Sequence, residues 1–241
     1  MSASLARLGR ALAGRSLTDI LRLGGKTLVR HAKRLSPAAR AAARADRAFD
    51  ARWGTDTSAQ VTMSGLDFPL ELQRLSHHYQ ASGAHMVEVV IAAAGIAPER
   101  FTFIDYGCGK GRMVMLAAAR FAAAIGVEYS PRLIAIAERN AKAFLARGGA
   151  DRAPIFWQGN AAEFLPPGGD LFCYLYNSFG PEILSDCLLR LEQAKTVQAS
   201  RRVLLAYVDP QHGPLVVSRG WSALAEAPGL TIFEAPSPRR P

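Results

Sequence analysis

From residue 101 onward, short apolar runs with no helical period alternate with segments whose apolar residues recur every three to four positions. Phe101-Thr-Phe-Ile-Asp-Tyr106 is aromatic and β-branched and reads as a buried strand. The Ala-rich stretch 113–124 reads as a helix. A second strand is expected over 124–128, followed by a helix over 131–146 with Pro131 in its first turn. Further strands are expected over 171–176 and 202–208, and a Pro228-Gly229 turn separates two short β-like runs. This alternation predicts an α/β protein with a doubly wound, mostly parallel, seven-stranded sheet, helices on both faces and an antiparallel last strand. Upstream, Met86, Val89, Val90 and Ala93 share one face of a helix expected over 82–94, with Ser82 as its N-cap.

Charge divides the chain differently. The first 45 residues carry ten Lys/Arg against Asp19 alone, and the other 196 hold 19 basic and 19 acidic side chains. The whole net charge of +9 therefore sits in a leader where Leu5, Leu8, Leu12, Leu17, Ile20 and Leu21 recur at helical spacing. Such a basic amphipathic or loosely helical extension makes weak contact with a membrane or other anionic surface, and also has the Arg-rich look of an organelle presequence. The body is neutral, which argues against a nucleic-acid groove across it. The organisation read from these shifts is a leader over 1–45, a helical lead-in over 46–96 and a core over 97–241. With 49% hydrophobic residues the chain is not globally disordered. Three scattered cysteines make neither a disulfide framework nor a zinc cage, so the protein is expected to be reduced and cytoplasmic. His77, His78 and His85 lack companion ligands at metal spacing, and no metal is expected.

Candidate chemistry concentrates after the first strand. Gly107, Gly109 and Gly111 alternate through a turn between strand and helix, an arrangement that receives nucleotide-like ligands. Glu128 ends the second strand, near the offset of a carboxylate that holds ribose hydroxyls. The spacing is G-x-G-x-G, preceded by Asp105, whereas dinucleotide folds carry G-x-G-x-x-G. A carboxylate at the strand tip repels a pyrophosphate but suits a ligand bearing an ammonium and a sulfonium, which is S-adenosylmethionine.

These residues, Asp105-Tyr-Gly-Cys-Gly-Lys-Gly111 with Gly126-Val-Glu-Tyr129, resemble motif I and its acidic successor in class I, Rossmann-like S-adenosylmethionine-dependent methyltransferases. Gln158-Gly-Asn-Ala-Ala162 is similar to that family's Gly-Asp-Ala, which implies adenine contacts from Asn160 and Ala161. Asn177-Ser-Phe-Gly-Pro-Glu182 resembles the signatures of amine methyltransferases and of non-SET histone-lysine methyltransferases. Tyr79-Gln-Ala-Ser82 resembles the Tyr-x-Pro-Ser/Thr element of protein-lysine methyltransferases, and Phe49-Asp50 through Thr57 a segment of bacterial relatives. The resemblance covers roughly residues 48–235. It departs from the pattern at Ala81, Asn160 and Ser178.

The resemblance implies a cofactor site of Tyr79, Ser82, Asp105, Gly107, Gly109, Gly111, Glu128, Asn160, Ala161 and Asn177, with Asn177 and Phe179 as catalytic residues. The implied reaction is N-methylation of a protein lysine or another amine, with Asn177 orienting the acceptor nitrogen and Phe179 facing its cationic group. Two rival readings are a nicotinamide-dependent oxidoreductase, against which Asp105 and the glycine spacing argue, and a non-catalytic S-adenosylmethionine-binding module, which has no use for an acceptor-side amide.

Overall fold

The computed structural model describes residues 36–59 and 82–237. Readings made on residues 1–35 and on His77, His78 and Tyr79 lie outside the described residues. The chain divides into two units, Met1–Ala45 and Asp46–Pro241, and the second holds the sheet. Its helices are α1 Pro37–Trp53 (from Asp46 on), α2 Met86–Ala94, α3 Arg112–Ala118, α4 Pro131–Ala146, α5 Pro181–Val197 and α6 Gly213–Ser218. The strands are β1 Phe101–Tyr106, β2 Ala123–Glu128, β3 Ile155–Gln158, β4 Asp170–Tyr176, β5 Val203–Val208, β6 Ser222–Ala227 and β7 Leu230–Glu234. They form one sheet in the order β3-β2-β1-β4-β5-β7-β6. The first five are parallel, and β7 runs antiparallel to both β5 and β6. This is the doubly wound, seven-stranded architecture expected from the alternation. Among the described residues, no helix is long and apolar enough to cross a membrane.

Successive side chains of a strand face opposite sides of the sheet. Phe103, Phe172, Leu204 and Ile232 pack with Val90 of α2 and Val114 of α3, while Ile104, Cys173, Leu205 and Phe233 pack with Leu184, Leu188 and Leu191 of α5. Burial on both faces is why the central strands read as unbroken apolar runs. A third cluster joins Phe49 of α1 to Met115 of α3 and to Ala141 and Phe144 of α4.

Two boundaries differ from expectation by more than one residue. The Ala-rich helix stops at Ala118 rather than 124, because Phe121 is drawn into the core against Phe103, 5.1 Å between ring centroids. Ala122 N–H then donates to the Phe101 carbonyl and Ala123 joins the sheet, so burial overrides propensity. Helix α2 begins at Met86 with His85 in the N-cap position and no side-chain cap. Ser82 is not its cap; the hydroxyl lies 2.7 Å from that of Tyr174 in β4.

Candidate functional site

The chain winds outward from β1 to β3 and returns to place β4 on the other side of β1, so the winding reverses between β1 and β4. Open α/β sheets bind ligands at the carboxyl ends of the strands at such a switch point. Here those ends are followed by Gly107 after β1 and Asn177 after β4. The two loops touch. A Cβ on Gly107 would sit 2.6 Å from Ser178 Cβ and Oγ, and the residue has φ +80°, so only glycine fits. Gly109 and Gly111 are also left-handed, and Gly111 leads into α3. Most loop N–H groups are already committed: Gly107 and Cys108 donate to the Val127 carbonyl, and Gly111 donates to Cys108. The glycines therefore shape the loop more than they present donors to a ligand.

Two buried acids meet beneath it. Glu128 Oε2 accepts from Gly109 N–H at 3.0 Å, and Oε1 accepts from Ser130 N–H at 2.9 Å. Burial raises its pKa against these bonds, and each oxygen keeps a second lone pair for a ligand hydroxyl. Asp105 is 5% exposed and accepts no hydrogen bond among the described residues. Burial first, and then the charge of Glu128, pushes it up to about 8. The Cys108 thiol is raised by burial and by both acids, so it is no thiolate nucleophile. Tyr174 pairs in register with Asp105, which brings the Ser82 hydroxyl to the same place. The loop is braced by Glu128 and not by Asp105. Glu128→Ala is therefore expected to loosen the loop by leaving the Gly109 and Ser130 N–H groups without their acceptor, at about 1–3 kcal/mol of stability. An unchanged melting curve would show that Glu128 does not brace the loop.

On the β4 side, Asn177 is buried with φ 42°. Its Oδ1 accepts from the Tyr207 hydroxyl at 3.3 Å, which itself accepts from His212 N–H at 3.4 Å. Asp209, with φ 50°, closes the neighbouring strand β5 in the same way. Left-handed conformations cost free energy in any residue but glycine, and Asn and Asp bear them best. Phe179 is buried in the core on the α5 side of the sheet. Asn160 caps the short turn Ala161–Glu163 by accepting from Ala162 N–H, and Ala161 packs against that same core. Gly159 N–H donates to the Glu128 carbonyl and ties this turn to the end of β2.

The sequence reading passed over Lys110 and Arg112. Both are buried, 1% and 2% exposed, and both are held by residues 46–59. The available signal was the segment Phe49-Asp50 through Asp56-Thr57, whose polar residues serve as their partners.

No family model matches the chain, and no curated protein matches it. Among solved structures, it is similar to an RNA methyltransferase from Salinibacter ruber in complex with S-adenosyl-L-homocysteine, at 20% identity and TM-score 0.47 over 67% of this chain and 97% of that one. It is also similar to a magnesium protoporphyrin IX methyltransferase from Synechocystis with bound S-adenosylmethionine, at 21% identity and TM-score 0.45, over 63% and 77% of the two chains. A third is a predicted N6-adenine-specific DNA methylase from Listeria monocytogenes, at 16% identity and TM-score 0.49, over 68% and 54%.

Proposed function

We propose that this protein is an S-adenosylmethionine-dependent methyltransferase acting on nitrogen, with a protein lysine favoured over a small amine. The observation that carries the reading is Asp105, a buried carboxyl without a donor among the described residues, beside a glycine loop at the switch point. A ligand cation favours the ionised form of such a group and satisfies it, whereas a pyrophosphate supplies no counter-charge, which weighs against a nicotinamide cofactor. The residues present fit the cofactor. Asp105 takes its ammonium, Glu128 its ribose hydroxyls, the glycine loop gives it room, and the turn at Asn160 and Ala161 borders the adenine. When bound, it supplies an electrophilic methyl group on a sulfonium.

The chain's own contribution is alignment, since a methyl displacement requires donor and acceptor in line. Asn177, fixed by Tyr207, offers the remaining lone pair of its amide oxygen to an acceptor N–H. Asp209 is exposed, and its charge raises both Tyr176 and Tyr207 after burial has done so, giving the rim an acidic character that favours a cationic acceptor. Phe179 backs this loop from within the core. The strained backbone at Asn177 also favours catalysis over passive cofactor binding.

Thermal denaturation with S-adenosylmethionine, S-adenosylhomocysteine and NAD tests the reading. A ligand at about 100 times its Kd stabilises by about 2.7 kcal/mol, a rise of roughly 5–10 °C for a chain of this size. The first two ligands are expected to produce it. A rise with NAD alone would replace the methyltransferase reading with the oxidoreductase one.

A further inference from the structure

Two cations are buried beside the glycine loop, and one short upstream segment supplies partners to both. Lys110 Nζ donates to both Asp56 carboxylate oxygens, at 3.0 and 3.1 Å, and to the Ala59 carbonyl at 2.8 Å. Arg112 Nε donates to Thr57 Oγ1 at 2.7 Å, its Nη1 reaches the Asp46 carboxylate and the Ser82 carbonyl, and its guanidinium lies over the Phe49 ring. The segment is itself pre-shaped. Asp50 Oδ1 accepts from the Thr55 and Thr57 hydroxyls and from Thr57 N–H, while Oδ2 accepts from Ser58 N–H. Burial alone would raise Asp50, but these bonds outweigh it and hold the carboxyl down at about 2. Asn140 of α4 completes the joint: its Oδ1 accepts from Asp56 N–H, and its Nδ2 donates to the carbonyls of Asp56 and Lys110.

Lys110 and Arg112 interleave with Gly109 and Gly111, the conformationally freest part of the loop. Glu128 fixes Gly109 from inside the sheet, and the segment 46–59 holds the side chains of Lys110 and Arg112. We propose that residues 46–59 form a clasp that positions the cofactor loop through Lys110 and Arg112, making Asp56 and Asp50 positioning residues of the cofactor site. This rests on the cofactor reading above. It places the lead-in within the binding machinery and gives the loop its rigidity before any ligand arrives, which lowers the ordering cost of binding.

A merely structural ion pair and a positioning clasp behave differently when the charge is removed from both ends. Asp56→Asn removes the carboxylate that both Nζ bonds to this side chain meet, while the Lys110 ammonium stays buried, and this is expected to destabilise. The double variant Lys110→Met with Asp56→Asn removes both charges of this pair, and such replacements are often neutral for stability. S-adenosylhomocysteine titrated calorimetrically into wild type and both variants, alongside melting curves, reads the two effects separately. The single variant is expected to lose melting temperature and to bind about tenfold more weakly or worse, equivalent to about 1.4 kcal/mol. The double variant is expected to regain most of the melting temperature but to keep the weakened binding. By linkage, the ligand is also expected to slow hydrogen exchange at residues 55–58 of the wild type. Recovery of wild-type affinity in the double variant, or unchanged affinity in the single one, overturns the clasp. Wild-type protein that binds no S-adenosylhomocysteine overturns the cofactor reading, and the clasp with it.

Discussion

In the Asp105→Asn variant, the melting temperature at pH 8 is expected to rise by several degrees while affinity for S-adenosylmethionine falls about tenfold or more. The two effects share one cause. Asp105 ionises near 3.8 in an unfolded chain but only at about 8 in the folded one. Between those values the folded state holds a proton that the unfolded state has released, so stability falls as pH rises across the window. The contribution is fully present below about 3.8 and lost by about 8, at up to roughly 1.4 kcal/mol per pH unit. Asparagine carries no such loss, so the gap between variant and wild type should widen from pH 5 to pH 8. A buried amide without partners offsets part of the gain, at about 1–3 kcal/mol. Binding runs the other way. A ligand ammonium favours the carboxylate, so the wild type should release about one proton on binding near pH 6–7 and bind more tightly as pH rises there. Titrations in buffers of different ionisation enthalpy measure that proton. Proton-neutral binding together with a pH-independent difference in melting would show that Asp105 neither faces the cofactor nor stays neutral in its absence.

Asn177→Ala is expected to lower turnover by about 100-fold or more while leaving S-adenosylmethionine affinity unchanged. The amide is the polar side chain that follows β4 at the switch point, and the Tyr207 hydroxyl holds its oxygen in place. Alanine removes the acceptor contact and also adopts a left-handed backbone less readily, so some loss of melting temperature accompanies the change. Asn177→Gly keeps the left-handed backbone but lacks the amide, and separates the two losses. Radiolabelled cofactor with a lysate of methyl-poor proteins provides the assay. Intact turnover with weakened cofactor binding would move Asn177 into the cofactor pocket, and label found only in small molecules would end the lysine preference.

Much of this site was visible in one dimension because its central strands carry local signals. Phe101–Tyr106 and Pro131–Ala146 have the bounds read from apolar runs and from Pro131, and Ala227 and Leu230 pair around the Pro228-Gly229 turn. Left-handed geometry at all three loop glycines is the physical content of their spacing. What failed was non-local. Nothing in the stretch after Ala118 announces that Phe121 is needed against Phe103. Ser82 looks like a cap until Tyr174, far along the chain, claims its hydroxyl. Strand β3 was not read at all, since it lies at a sheet edge with Ile155 exposed and without alternation. Lys110 and Arg112 looked like spacers between glycines because burial of a cation depends on partners more than 50 residues upstream.

The order of strands across the sheet also sets an order in time. Strands β1, β2 and β3 follow one another along the chain and pair as neighbours, whereas Phe101 finds Asp170 only after the intervening helices and strands have been spanned. Non-local pairings carry the larger loop-closure entropy and form later. Asp105 and Glu128 are thus set side by side within a contiguous stretch, while Asn177 arrives with β4 at the seam. In a chain that emerges amino-terminus first, the half that carries the glycine loop and the two buried acids is assembled before the half that carries Asn177. The candidate site is then completed last, when the central seam closes.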